Sequence, residues 1–185
     1  MASNPPEPPV EKTVDNRQYV DLLNSWAAEK AKEKHVGNSE ELLKVWRELS
    51  CHELYLVLSE AQQTRVIAYK AMNAYYKEFQ DVQNGDRFLN MCEKALCAFN
   101  DINLDIRLLQ TLPQLETCRA LIDSLQSKEK EKFTVLLNSY RSSIASISAG
   151  GDVSAGYNTS IRKQVADIEE SITEIMYELQ SLCQA

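Results

Sequence analysis

The chain has 185 residues, enough for one domain with a core of its own and too few for two large ones. Its formal net charge of −7 excludes a large phosphate-binding surface, because affinity for nucleic acid comes mostly from Lys and Arg. No apolar run of about 18 residues is present to span a membrane, and the start lacks the basic and apolar regions of a signal peptide.

Residues 1–14 carry Pro5, Pro6, Pro8 and Pro9 and little apolar content, which predicts a disordered, extended tail. Beyond it, Gly37, Gly85, Pro113, Gly150, Gly151 and Gly156 are the remaining helix breakers, and each falls between apolar-periodic stretches. They divide the chain into an N-terminal helical region over 15–50 and a core three-helix antiparallel bundle over 51–148. A Gly-rich linker over 149–158 and a C-terminal amphipathic helix over 159–185 follow. Helical segments are expected at about 16 to 34, 39 to 82, 86 to 111, 114 to 148 and 159 to 183. The segment over 39 to 82 can restart near His52, because Ser50-x-x-Glu53 has the spacing of a capping box.

The apolar residues recur alternately at four and three. Leu54, Leu58, Ala61, Arg65, Ala68, Met72, Tyr75 and Phe79 form one such series, and Phe88, Cys92, Ala95, Phe99, Ile102, Ile106 and Leu109 the next. Ile161, Val165, Ile168, Ile172, Ile175, Leu179 and Leu182 form the last. This rhythm predicts an all-α antiparallel bundle of long helices with coiled-coil-like heptad seams and no sheet. A short turn near Gln83 to Gly85 pairs residues whose numbers sum to about 168, which sets Phe99 near Tyr69 and Phe88 near Phe79. The final seam either folds back along Leu136, Tyr140, Ile144 and Ile147 or buries itself in another protein.

Arg65 interrupts an apolar stripe and needs a counter-charge. The same pairing sets it opposite Asn103, so Asp101 or Asp105 is its expected partner. The alternating run Ser127 to Lys132 reads as a solvated face, with Glu129 on the seam. Five cysteines, at 51, 92, 97, 118 and 183, include no Cys-x-x-Cys pair and are read as small core residues in a reducing compartment. No metal site and no cofactor are expected. There is no phosphate loop, nucleophile elbow or paired metal-ligand motif, so neither catalysis nor a small-molecule substrate is expected.

Three stretches carry a family resemblance: Leu58 to Tyr69, Ala98 to Asn103 and Leu121 to Phe133. Together they resemble the "required for excision" B-type (DNA repair Rex-B) domain family over residues 52–142. One family pattern falls on Gln62, Arg65 and Tyr69, a second is centred on Phe99, and a third falls on Leu125, Gln126, Glu129, Glu131 and Lys132. Asn103 stands where the family usually has Ser. The resemblance implies participation in DNA excision repair without an assigned catalytic activity.

Joined to the acidic charge, the resemblance makes a nuclear or cytoplasmic adaptor that bridges other proteins the expected function, with no membrane contact and no tight direct hold on nucleic acid. Gln62, Arg65, Tyr69, Phe99, Gln126, Glu129 and Lys132 are its candidate interaction residues. A cytoskeletal or ciliary structural adaptor is the alternative, since antiparallel helical hairpins also serve as spacers there.

Overall fold

A computed structural model describes residues 17–36, 39–82, 85–148 and 155–184. Among these residues there are six α-helices, one 3-10 helix and no strand. They are α1 (Arg17–Val36), α2 (Ser39–Arg47), α3 (Cys51–Val82), α4 (Gly85–Leu109), the 3-10 turn (Pro113–Cys118), α5 (Arg119–Ser148) and α6 (Ala155–Gln184). The expected tail over 1–14 lies outside the described residues, as do residues 149–154 of the expected linker. Ala155 to Asn158, also assigned to that linker, are helical.

The stretch expected as one helix over 39–82 is broken between Arg47 and Cys51, and its chemistry explains the break. The Glu53 amide donates to Ser50 Oγ at 3.2 Å, while Glu53 Oε2 accepts from the Ser50 amide and hydroxyl, both at 2.8 Å. This is a reciprocal capping box that starts α3. These bonds hold the Glu53 carboxyl below its ordinary range, the Ser50 amide contributing most. Gln114 secures the corner by donating to the carbonyls of Arg47 at 2.8 Å and Leu49 at 3.3 Å. At the same end of the bundle, Pro113 follows an extended Leu112 and prevents α4 from running into α5.

α4 packs back along α3. The predicted register is observed: the Phe99 and Tyr69 rings lie 4.7 Å apart, and Phe88 and Phe79 lie 6.0 Å apart. α1 packs on α3 through Leu23, and α2 covers α4 through Trp46. α5 takes a course that neighbour counting along the sequence does not suggest. Its backbone runs closest to α6, which folds back along it and also meets α3. α5 reaches α3 and α4 mainly through long side chains, as in Gln126, Glu129, Phe133 and Tyr140.

The apolar interior falls into two clusters. One contains Leu54, Leu58, Ile102, Ile106, Leu115, Ile122, Leu125 and Leu179. The other contains Ala68, Met72, Phe79, Phe88, Met91, Ala95 and Tyr140. Fully burying one such aliphatic or aromatic side chain contributes about 1.5–3 kcal/mol. Along the last predicted seam Ile168 and Leu179 are buried, but Leu182 is exposed and the neighbouring Cys183 takes the inward position. Between the two clusters, on α3 and α5, sit Gln62, Arg65, Glu129 and Lys132, all buried.

Candidate functional site

That polar layer crosses the bundle. Arg65, with 1% of its surface exposed, donates through Nη1 to Gln62 Oε1 at 2.5 Å and through Nη2 to Asn103 Oδ1 at 2.5 Å and to Gln126 Oε1. The expected ion pair with Asp101 or Asp105 is not formed. Asp105 instead accepts from Lys30 of α1 at 2.8 Å, and three amide oxygens surround the guanidinium. The physical reason is the helical repeat. Gln62 lies one turn before Arg65 on the same face, and Asn103 is the residue directly opposite, whereas its neighbours on α4 turn toward other faces.

The counter-charge is Glu129, one residue removed through Gln62. Gln62 Nε2 donates to Glu129 Oε1 at 2.8 Å, and the Tyr69 hydroxyl donates to Glu129 Oε2 at 3.1 Å. Both carboxylate oxygens are thus satisfied, which the burial of a charge requires. Burial pulls the Arg65 guanidinium below its ordinary value, and the Glu129 charge opposes that shift. Burial pushes the Tyr69 phenol well above its ordinary range, and the adjacent Glu129 charge pushes it further.

Lys132 completes the layer. Its ammonium lies 4.3 Å from the Tyr69 ring centroid and pairs with Glu169 of α6 at 2.8 Å. The run 127–132 is therefore not a uniformly solvated face: Glu129 and Lys132 point inward, whereas Lys130 and Glu131 are exposed. Alternating charge along a helix meets its interior once every turn, and α6 covers the side that would otherwise face water. Cys97 also departs from expectation, since it is exposed and not part of the core.

Where α4 and α5 diverge, the layer opens into a groove of about 600 Å³. Arg65 and Tyr69 form its floor, Leu96, Phe99, Asn103 and Arg107 line the α4 side, and Gln126, Lys130 and Phe133 line the α5 side. Phe99 stacks 4.7 Å from Tyr69 and meets Phe133 edge-on at 5.3 Å, so the aromatic wall is rigid. Arg65 fixes the orientation of the Asn103 and Gln126 amides, because a guanidinium has only donors and draws their oxygens inward. Their amide nitrogens are turned away from Arg65. The groove therefore combines amide donors and an apolar wall with the exposed cations Arg107 and Lys130.

All seven candidate residues read from the sequence lie in or beside this layer, with Lys132 and Gln62 behind the floor. Asn103, Arg107, Lys130 and Glu169 were missed. The pairing rule pointed to Asn103, but nothing in the sequence marked the other three.

The chain is an all-α bundle in which a buried ionic layer opens to a polar groove between two helices. Residues 53–143 match the family model described as DNA repair REX1-B, the family that the three motifs resemble. That match supports a role in DNA repair. Neither the curated proteins nor the solved structures give a match to it.

Proposed function

We propose that the chain is a non-catalytic adaptor in DNA excision repair, and that the groove between α4 and α5 receives a segment of another protein. The observation that carries this reading is the convergence of Gln62, Arg65, Tyr69, Gln126 and Glu129 of the family patterns on one buried network that shapes the groove floor. A network of this kind costs desolvation and is a weak source of stability, so a recognition role accounts for it better than packing does.

The lining suits a segment that offers carbonyl or carboxylate acceptors together with an apolar side chain. The amide nitrogens of Asn103 and Gln126 meet the acceptors, Phe99 and Phe133 meet the apolar group, and Arg107 and Lys130 attract negative charge along the rim. A net charge of −7 on the whole chain disfavours nucleic acid as the occupant.

The test is affinity capture from cells, with and without ultraviolet damage, using the wild-type chain and an Arg107→Glu, Lys130→Glu variant. Both positions are exposed, so the fold should survive. Repair factors captured by the wild type and lost by the variant are expected. Capture of repair factors unchanged by the variant would move the binding surface elsewhere, and capture of cytoskeletal proteins alone would reject the repair reading.

A further inference from the structure

Three helix ends meet at the far end of the bundle, and each brings a cysteine. Cys51 opens α3, Cys118 closes the 3-10 turn that leads into α5, and Cys183 lies in the last turn of α6. The Cys51 thiol donates to Cys183 Sγ at 2.9 Å, and Cys118 Sγ lies 3.7 Å from Cys183 Sγ. All three sulfurs lie within 4.8 Å of one another. Cys118 and Cys183 are buried, Cys51 is half-buried, and Leu54, Leu115 and Leu179 belong to the apolar cluster around them.

Three sulfurs bound to one cation at about 2.3 Å stand roughly 3.8–4.0 Å apart, in a tetrahedral or trigonal arrangement respectively. The Cys118–Cys183 separation of 3.7 Å is close to that spacing and the Cys51–Cys183 separation of 2.9 Å is shorter, a difference that rotation about the Cα–Cβ bonds can open. A disulfide, with its S–S bond of about 2.05 Å, would use two sulfurs and leave a third beside it without purpose. Among the described residues the group comprises only these three ligands.

We propose that Cys51, Cys118 and Cys183 form a site for one thiophilic d10 cation, either three-coordinate copper(I) or zinc(II) with a solvent molecule as fourth ligand. Binding breaks three S–H bonds, forms three metal–sulfur bonds and releases three protons to solvent, with no change of oxidation state. Each thiol must lose its proton to bind a cation, so uptake is coupled to pH. The positive ends of α3 and α5, which begin at Cys51 and Arg119, offset the negative charge that the thiolates bring. A cation here would tie α6 to both α3 and α5. This site is independent of the groove and of any repair role.

The experiment titrates the full, reduced chain anaerobically with zinc(II) in one arm and copper(I) in the other, each against a chromophoric chelator. One equivalent taken up, with a thiolate-to-metal charge-transfer band and a rise in melting temperature, is the expected result, and the arm that competes better with its chelator names the metal. Replacing Cys118 and Cys183 together by Ala should abolish uptake, while Cys92→Ser and Cys97→Ser leave it unchanged. Should the double variant fail to fold, alkylation of the wild type supplies the test: the cation must slow modification of Cys51 and leave exposed Cys97 untouched. Uptake of neither metal overturns the proposal. So does protection of Cys97 equal to that of Cys51, or isolation of the chain as a Cys51–Cys183 disulfide that no cation prevents.

Discussion

Arg65 and Glu129 face each other across the bundle without touching, joined by the carboxamide of Gln62, which accepts from the guanidinium at 2.5 Å and donates to the carboxylate at 2.8 Å. Either charge alone would be left in an apolar interior. Arg65→Ala or Glu129→Ala should therefore each destabilise the fold by about 3–5 kcal/mol, the range for breaking a buried pair. Arg65→Met should cost less than Arg65→Ala, because the apolar stem is kept. Urea denaturation measures this, and a loss below about 1 kcal/mol for the alanine variants would place the pair in the class of surface ion pairs.

The packing of α6 on α5 and α3 makes a second expectation. Ile168 and Leu179 are buried, at 3% and 1% exposure, so Ile168→Ala and Leu179→Ala should each cost about 2–5 kcal/mol. Glu169→Lys should also destabilise, because it sets a second cation against buried Lys132. Hydrogen exchange in α6 as fast as in an isolated helix, with all three variants silent, would show that α6 is not docked in solution.

Alkaline titration should report the two shielded phenols. Burial pushes both Tyr69 and Tyr140 well above the usual tyrosine range. In the unfolded chain they ionise near pH 10, whereas the fold keeps them neutral, so the stability they contribute is whole below about pH 10 and is lost as pH rises above it. Phenolate absorbance from Tyr69 and Tyr140 should appear only with loss of the helical circular dichroism. Ionisation of all eight tyrosines before that loss would show that neither phenol is shielded.

Duplex DNA offers a fourth measurement. The purified chain should bind it no more tightly than the non-specific range of about 10⁻⁴–10⁻⁶ M at physiological salt, given the net charge of −7. Tight binding that weakens steeply with salt in a fluorescence titration would favour direct contact over bridging.

The α3–α4 pair was legible in the sequence because a short turn fixes both direction and register. Tyr69 with Phe99 and Arg65 with Asn103 follow from adding residue numbers. The path of α5 was not legible, since its register against α3 depends on a six-residue 3-10 turn that leaves no periodic mark and on α6, whose seam is periodic but does not say which helix it covers. Burial of Glu129 and Lys132 was hidden for the same reason: a charged run looks solvated until the helix that covers it is placed. Sequence spacing could not reveal the thiol cluster either, because Cys51, Cys118 and Cys183 come from three separate helix ends.

The meeting of Cys51 with Cys183 also sets a clock on the newborn chain. The two positions are 132 residues apart, and ribosomes add about 5–20 residues per second, so the start of α3 waits on the order of ten seconds for the helix that closes over it. Throughout that interval Leu54, joined by Leu115 about halfway through, lacks Leu179 as a neighbour, and the apolar end of the bundle stays open to whatever the cell holds nearby. Among the described residues, the buried members of the other apolar cluster come from α1, α3, α4 and Tyr140 of α5 and none from α6, so that cluster can close first. Assembly then proceeds from the aromatic end toward the thiol end, and the delay falls where a binding chaperone would find its longest opportunity.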